Sequence, residues 1–96
     1  MTVTVHIPTL LRPLTNEHKY VEATGHDIRS LIDDLDARHP GLRARLMQDD
    51  RLHRYINFYV NGDDIRFAGE LDTPVRDGDA IVILPAVAGG SGRGAP

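Results

Sequence analysis

One stretch of this chain, and only one of any length, repeats its apolar residues at helical spacing. Ile28, Leu31, Ile32 and Leu35 recur at i, i+3, i+4 and i+7 and lay a single stripe along one helix face. Asp27 stands before the stripe as an N-cap residue, and Arg38 and His39 sit at its far end, where cations suit the helix dipole. Pro40-Gly41 then stops the helix, because Pro40 disfavours helical angles at His39. A lone amphipathic helix has one face to bury and needs a sheet to bury it on.

The rest of the chain supplies that sheet. Val3, Val5 and Ile7 alternate with Thr4 and His6, the period of a half-buried strand over residues 3–7. Pro8 and Pro13 bracket the break that follows, and Thr15, Asn16 and Glu17 form a polar link to a second strand at 18–23, ended by Gly25. After the helix, Leu42, Leu46 and Met47 predict a second short helical turn, and 48–54 reads as an irregular, charged loop. Ile56, Phe58 and Val60 then share one face of a strand over 55–60. Asn61-Gly62 is a two-residue hairpin signal, since both residues tolerate positive φ, and Ile65-Arg66-Phe67 is the expected short return strand. Asp77-Gly78-Asp79 makes another turn, and Ala80–Leu84 is apolar enough to be central in a sheet, with the first strand as its parallel neighbour. The order is strand, strand, helix, a variable stretch, strand, short strand, strand. It predicts a two-layer α+β domain with one main helix on one face of a mixed sheet, the order of the ubiquitin-like β-grasp fold.

Size and charge narrow the function classes. Ninety-six residues fit one domain. The chain has no cysteine, so it has no disulfide, no thiol nucleophile and no thiolate metal ligand. That fits a cytoplasmic setting, as does the lack of a signal-peptide pattern or a membrane-length apolar run. A net charge of -3 argues against a phosphate-driven nucleic-acid binder. Neither a nucleic-acid nor a membrane partner is expected. The runs Asp33-Asp34 with Asp36, Asp49-Asp50 and Asp63-Asp64 read as solvated faces and turns. His6, His18, His26, His39 and His53 show no paired spacing, so no metal site is expected. No nucleophile and base stand together, and the glycines form no phosphate-binding loop.

The end of the chain carries the functional signal. Leu84-Pro85-Ala86-Val87-Ala88-Gly89-Gly90 leads from the last strand to a diglycine, followed by Ser91-Gly92-Arg93-Gly94-Ala95-Pro96. Two glycines make a slim arm that a narrow active site admits. Pro85 lacks an N–H and is expected to end sheet pairing, so that the arm leaves the body. Residues 91–96 read as a disordered tail.

With this ending, the stretches Val5-His6-Ile7-Pro8-Thr9-Leu10-Leu11-Arg12-Pro13, Leu52–Asn61, Ile65-Arg66-Phe67 and Asp77–Gly90 make residues 1–90 resemble the ThiS/MoaD sulfur-carrier family. Within it, the Ile-Pro-Thr opening and Ala86, where many molybdopterin-type carriers have a second proline, resemble the branch that serves cysteine synthesis. The resemblance implies a protein co-substrate rather than an enzyme, with no cofactor of its own. A ThiF/MoeB-like adenylating enzyme would use ATP to activate the Gly90 carboxylate, and a sulfur donor would convert it to a thiocarboxylate. A pyridoxal-phosphate-dependent cysteine synthase, or another sulfur-accepting synthase, would take the sulfur. A JAMM-type zinc metalloprotease would act on the carrier end.

On this reading Gly90 carries the sulfur, Val87, Ala88 and Gly89 form the arm, and the Gly90–Ser91 bond is the cleavage site, since a peptide-bonded Gly90 has no carboxylate to activate. Phe58, Tyr59, Leu84, Pro85 and Val87 are the expected docking patch, with core packing as the alternative for them. A ubiquitin-like modifier, or a plain interaction module on the same fold, is the other reading of the whole chain, because an activated glycine also accepts an amine.

Overall fold

The computed structural model describes residues 2–85, and in it the apolar stripe lies flat on a five-stranded sheet. In chain order the elements are β1 (Thr2–His6), β2 (Tyr20–Thr24), α1 (Ile28–Arg38), α2 (Leu42–Leu46), β3 (Met47–Gln48), β4 (Arg51–Leu52), β5 (Ile56–Val60), β6 (Asp63–Asp64) and β7 (Ala80–Pro85). The sheet order is β2-β1-β7-β5-β6, with β1 and β7 parallel at its centre and the other pairings antiparallel. β3 and β4 form a separate ribbon. This mixed sheet under one main helix is the ubiquitin-like β-grasp fold.

The helix forms where its caps place it. The Ser30 amide donates to Asp27 Oδ1 at 2.8 Å, and Ser30 Oγ accepts from the Asp27 amide at 3.2 Å, which closes a reciprocal box on the first turn. Ile28, Leu31, Ile32 and Leu35 are all buried against Val3, Val5, Ile7, Ala23, Phe58, Ile81 and Ile83 of the sheet. Each such side chain contributes about 1.5–3 kcal/mol on leaving water.

All three helix aspartates do more than face solvent, Asp33 Oδ1 accepting from Arg43 Nε of α2 at 3.1 Å. Asp34 Oδ2 accepts from the Thr24 amide at 2.8 Å and from Arg38 Nε at 2.7 Å, tying α1 to the end of β2. Asp36 Oδ1 accepts from the amides of Gly41 and Arg43, both at 3.1 Å, and so fixes the turn into α2.

Three segments differ from the sequence expectation. Residues 9–15 form a 3₁₀ helix rather than a bare link, with Leu11 buried in the core. The charged stretch 48–54 contains the β3–β4 ribbon, turned by Asp49 and Asp50 at φ 52 and 63. The return strand after Asn61-Gly62 is Asp63–Asp64, while Ile65–Phe67 is a 3₁₀ turn. The two-residue turn sets Asp63 opposite Val60 at once, and Asp64 Oδ1 then accepts from the Arg66 amide at 2.9 Å and curls the chain away. Among the described residues no helix is long and apolar enough to cross a membrane.

Candidate functional site

The start of β7 is pinned by side-chain bonds from two turns. Asn61, at the hairpin tip, donates from Nδ2 to Asp79 Oδ1 at 2.9 Å and accepts from the Ala80 amide at 3.0 Å. Asp79 Oδ2 also accepts from the Arg76 amide at 2.8 Å, and Asp77 Oδ1 accepts from the Thr2 amide at 2.9 Å. The bond from the Asn61 amide, followed by that from the Arg76 backbone, holds the Asp79 carboxyl below its ordinary value of 3.8 against the opposing effect of burial. Gly78 sits at φ 85, a conformation side chains rarely adopt. The Asp77-Gly78-Asp79 turn is therefore the clamp from which β7 is aimed.

At its other end β7 runs through Pro85, which still lies in register with Ile56. Pro85 is the last described residue, so the expected end of pairing beyond it lies outside the described residues. Pairing with β1 stops at Val82, so β7 has a partner on one side only by Pro85, where a missing N–H is tolerated.

Alternation along β7 sends Ile81 and Ile83 into the core and Val82 and Leu84 to the outer face. On that outer face the register aligns Tyr20, His6, Val82 and Tyr59 in one row across four strands. His6 and Tyr20 meet edge to face at 5.3 Å between ring centroids. Burial, then the charges of Arg12 and Lys19, push the His6 ring below its ordinary value of 6.5. Its Nδ1 is buried with no hydrogen-bond partner among the described residues. Leu84 lies next to this row and is 40% exposed.

These placements sort the expected docking residues. Leu84 is exposed on the outer face, Tyr59 is half-buried in the row, and Pro85 is half-buried at the strand end. Phe58 is corrected: it pairs with Ile83 on the opposite face, is wholly buried, and belongs to the core. His6 and Tyr20 complete the apolar row, and the β1–β2 register that brings them there is not visible in either strand alone. Val87, Ala88, Gly89, Gly90 and Ser91, together with the whole tail 91–96, lie outside the described residues.

Two hollows open beside Pro85. One, of about 540 Å³, is lined by Leu10, Leu11, Arg45, His53, Tyr55 and Pro85 among others. The second, of about 450 Å³, lies towards His6, Arg12 and Leu84 and shares Leu10 and Pro85 with the first. Among the described residues no cluster of three His, Asp or Glu side chains is placed to hold a metal ion.

A β-grasp body with a clamped central strand delivering its end to an apolar surface defines a class of small ubiquitin-like proteins. The particular family follows from the match of residues 5–90 to the ThiS family, to which this chain belongs. The sulfur carrier protein CysO of Mycobacterium tuberculosis (strain ATCC 25618 / H37Rv) is 50% identical over 93 residues, spanning 94% of this chain and 100% of that protein. A putative sulfur carrier protein of Archaeoglobus fulgidus is 31% identical, again over 94% of this chain and 100% of its own length. Among solved structures, a chain from the Amycolatopsis orientalis BexX/CysO complex is similar with a TM-score of 0.87 and 55% identity, covering 92% of this chain and 99% of that one.

Proposed function

We propose that this chain is a protein sulfur carrier whose working atom is the C-terminal carboxylate of Gly90, exposed by cleavage of the Gly90–Ser91 bond. The observation that carries this reading is that the family match runs to Gly90 and stops there, six residues before Pro96. The chemistry then needs a partner of the ThiF/MoeB type. ATP and the Gly90 carboxylate give an acyl-adenylate and pyrophosphate, and sulfide from a donor displaces AMP to leave a thiocarboxylate. A sulfur-accepting synthase, of the pyridoxal-phosphate cysteine-forming kind or another, takes the sulfur, and a JAMM-type zinc protease is the agent proposed for trimming. Tethering the sulfur lets docking supply orientation that free sulfide lacks. The outer-face row and Leu84 offer the apolar, partly aromatic surface on which such partners would seat.

The test is the intact mass of the protein purified untagged from its native cells, with thiol alkylation before analysis. The chain has no cysteine, so a thiocarboxylate is the group expected to alkylate. A species ending at Gly90 that gains the alkyl group supports both trimming and loading. A population that stays full length and unreactive while the partner enzymes are present overturns the proposal and favours an interaction module. A mass corresponding to an amide link with another protein favours the modifier reading. Gly90→Val should leave the melting temperature unchanged and abolish loading, because a branched side chain blocks entry of the arm into a narrow cleft. Normal loading of that variant would remove the threading argument.

A further inference from the structure

The inference rests on the reading that residues 86–90 enter a partner's cleft. Val87 lies two residues beyond Pro85, which is at most roughly 7 Å of extended chain. A cleft that encloses the arm from Val87 onward therefore brings its lip onto the ground around Pro85, whatever else the partner touches.

That ground is not neutral. Leu10 and Tyr55 stand beside Pro85 and are each 51% exposed, an unusual outlay of apolar surface on a body this small. Three arginines surround them. Arg54 lies 4.9 Å from the Tyr55 ring centroid and donates to its hydroxyl at 2.9 Å. Arg45 lines the larger hollow and Arg12 the smaller one, where Arg12 Nε donates to the Ile7 carbonyl at 3.0 Å. Among the described residues none of the three has a carboxylate within ion-pair distance, a state they share with Lys19, Arg51, Arg66 and Arg76, whereas Arg29, Arg38 and Arg43 on the helical side are paired. Neither hollow is lined by an aspartate or glutamate. A chain of net charge -3 thus gathers three arginines, with no carboxylate lining either hollow, around Pro85, the last described residue.

We infer that Leu10, Tyr55, Arg12, Arg45 and Arg54 form a docking collar for the acidic lip of the cleft that receives the arm, an apolar lip side chain filling the hollow and lip carboxylates meeting the arginines. The collar adjoins the row on the outer sheet face, with which it shares the hollow lined by His6, Leu10, Arg12, Leu84 and Pro85. The adenylating enzyme is the occupant to test, because it must enclose Gly90 before any sulfur is loaded. Arginine forks suit carboxylates in two-point contacts, and paired charges of this kind raise encounter rates in a salt-dependent way.

Wild-type, Arg45→Glu/Arg54→Glu, Arg45→Gln/Arg54→Gln and Tyr55→Ser chains would be expressed full length in the native cells, where trimming takes place, and the species whose mass ends at Gly90 purified and checked for melting temperature. Each is then incubated with the adenylating partner from those cells, ATP and sulfide, and thiocarboxylate formation is followed by alkylation and mass analysis at low and high salt. The charge-reversed chain is expected to lose at least tenfold in kcat/KM at low salt, with kcat at saturating carrier unchanged and the gap narrowing at high salt. The glutamine pair should fall between it and wild type, and Tyr55→Ser should lose affinity at both salts. Variants that melt normally and load within twofold of wild type at both salts overturn the collar while leaving the carrier reading intact. A wild-type chain that never loads overturns the carrier reading, and the collar with it.

Discussion

Gly25 illustrates how one residue sets a packing distance. A Cβ built there would lie 2.7 Å from the Leu31 nitrogen and 2.9 Å from its Cα, both backbone atoms of α1 that have no room to give. Gly25→Ala should therefore lower stability by about 1–3 kcal/mol through overpacking, read from urea midpoints. An unchanged midpoint would mean that α1 is free to slide. Leu31 itself is wholly buried, and Leu31→Ala should cost about 2–5 kcal/mol by the same measurement. The contrast between the two is instructive. The stripe containing Leu31 is legible in the sequence because period carries it. The contact at Gly25 joins a strand end to the second turn of a helix, and no local pattern announces it.

At the scale of elements, carboxylates hold the joints between segments. Asp27 is kept below the ordinary 3.8 chiefly by the Ser30 backbone bond. For Asp34 burial acts to raise the value, and the bonds from Thr24 and Arg38 together with the Arg38 charge outweigh it. Asp79 is held down in the same direction by Asn61. A carboxyl whose folded value is depressed contributes its full stability above the unfolded value and loses it as pH falls through the folded one. The window is therefore acidic, below about pH 4. Denaturation midpoints taken across that range should fall steeply for wild type and less steeply for Asp34→Asn; equal slopes would mean that the Asp34 bridge carries no linkage. The strands and α1 were readable because alternation and capping are local. The β3–β4 ribbon was not, although Asp49-Asp50 is a two-residue turn signal in retrospect, since both residues tolerate left-handed angles. The reading of Ile65–Phe67 as a strand failed because Asp64 captures the Arg66 amide before pairing can continue. At the candidate site, alternation placed Leu84 and Tyr59 on the outer face, as the register has them. Phe58 was misassigned because an alternating strand shows two faces without saying which one is covered.

For the whole molecule, the core closes within the described residues, from Val3 to Ile83. Removal of residues 86–96 should accordingly leave the melting temperature within about a degree or two of the full chain, since a small domain shifts by about 4–8 °C per kcal/mol lost. A drop larger than that would show that the arm packs on the body. The exposed, cationic end of β7 also bears on chemistry that has nothing to do with docking. Of the eleven Lys and Arg side chains, Lys19 alone is an amine, and the three cations around the arm exit are guanidinium groups. Guanidinium stays protonated at neutral pH and does not compete as a nucleophile. An electrophilic acyl group on Gly90 would thus move among positive charges that attract anions yet cannot be acylated. Apart from its α-amino group, the body offers such an electrophile a single amine side chain, Lys19.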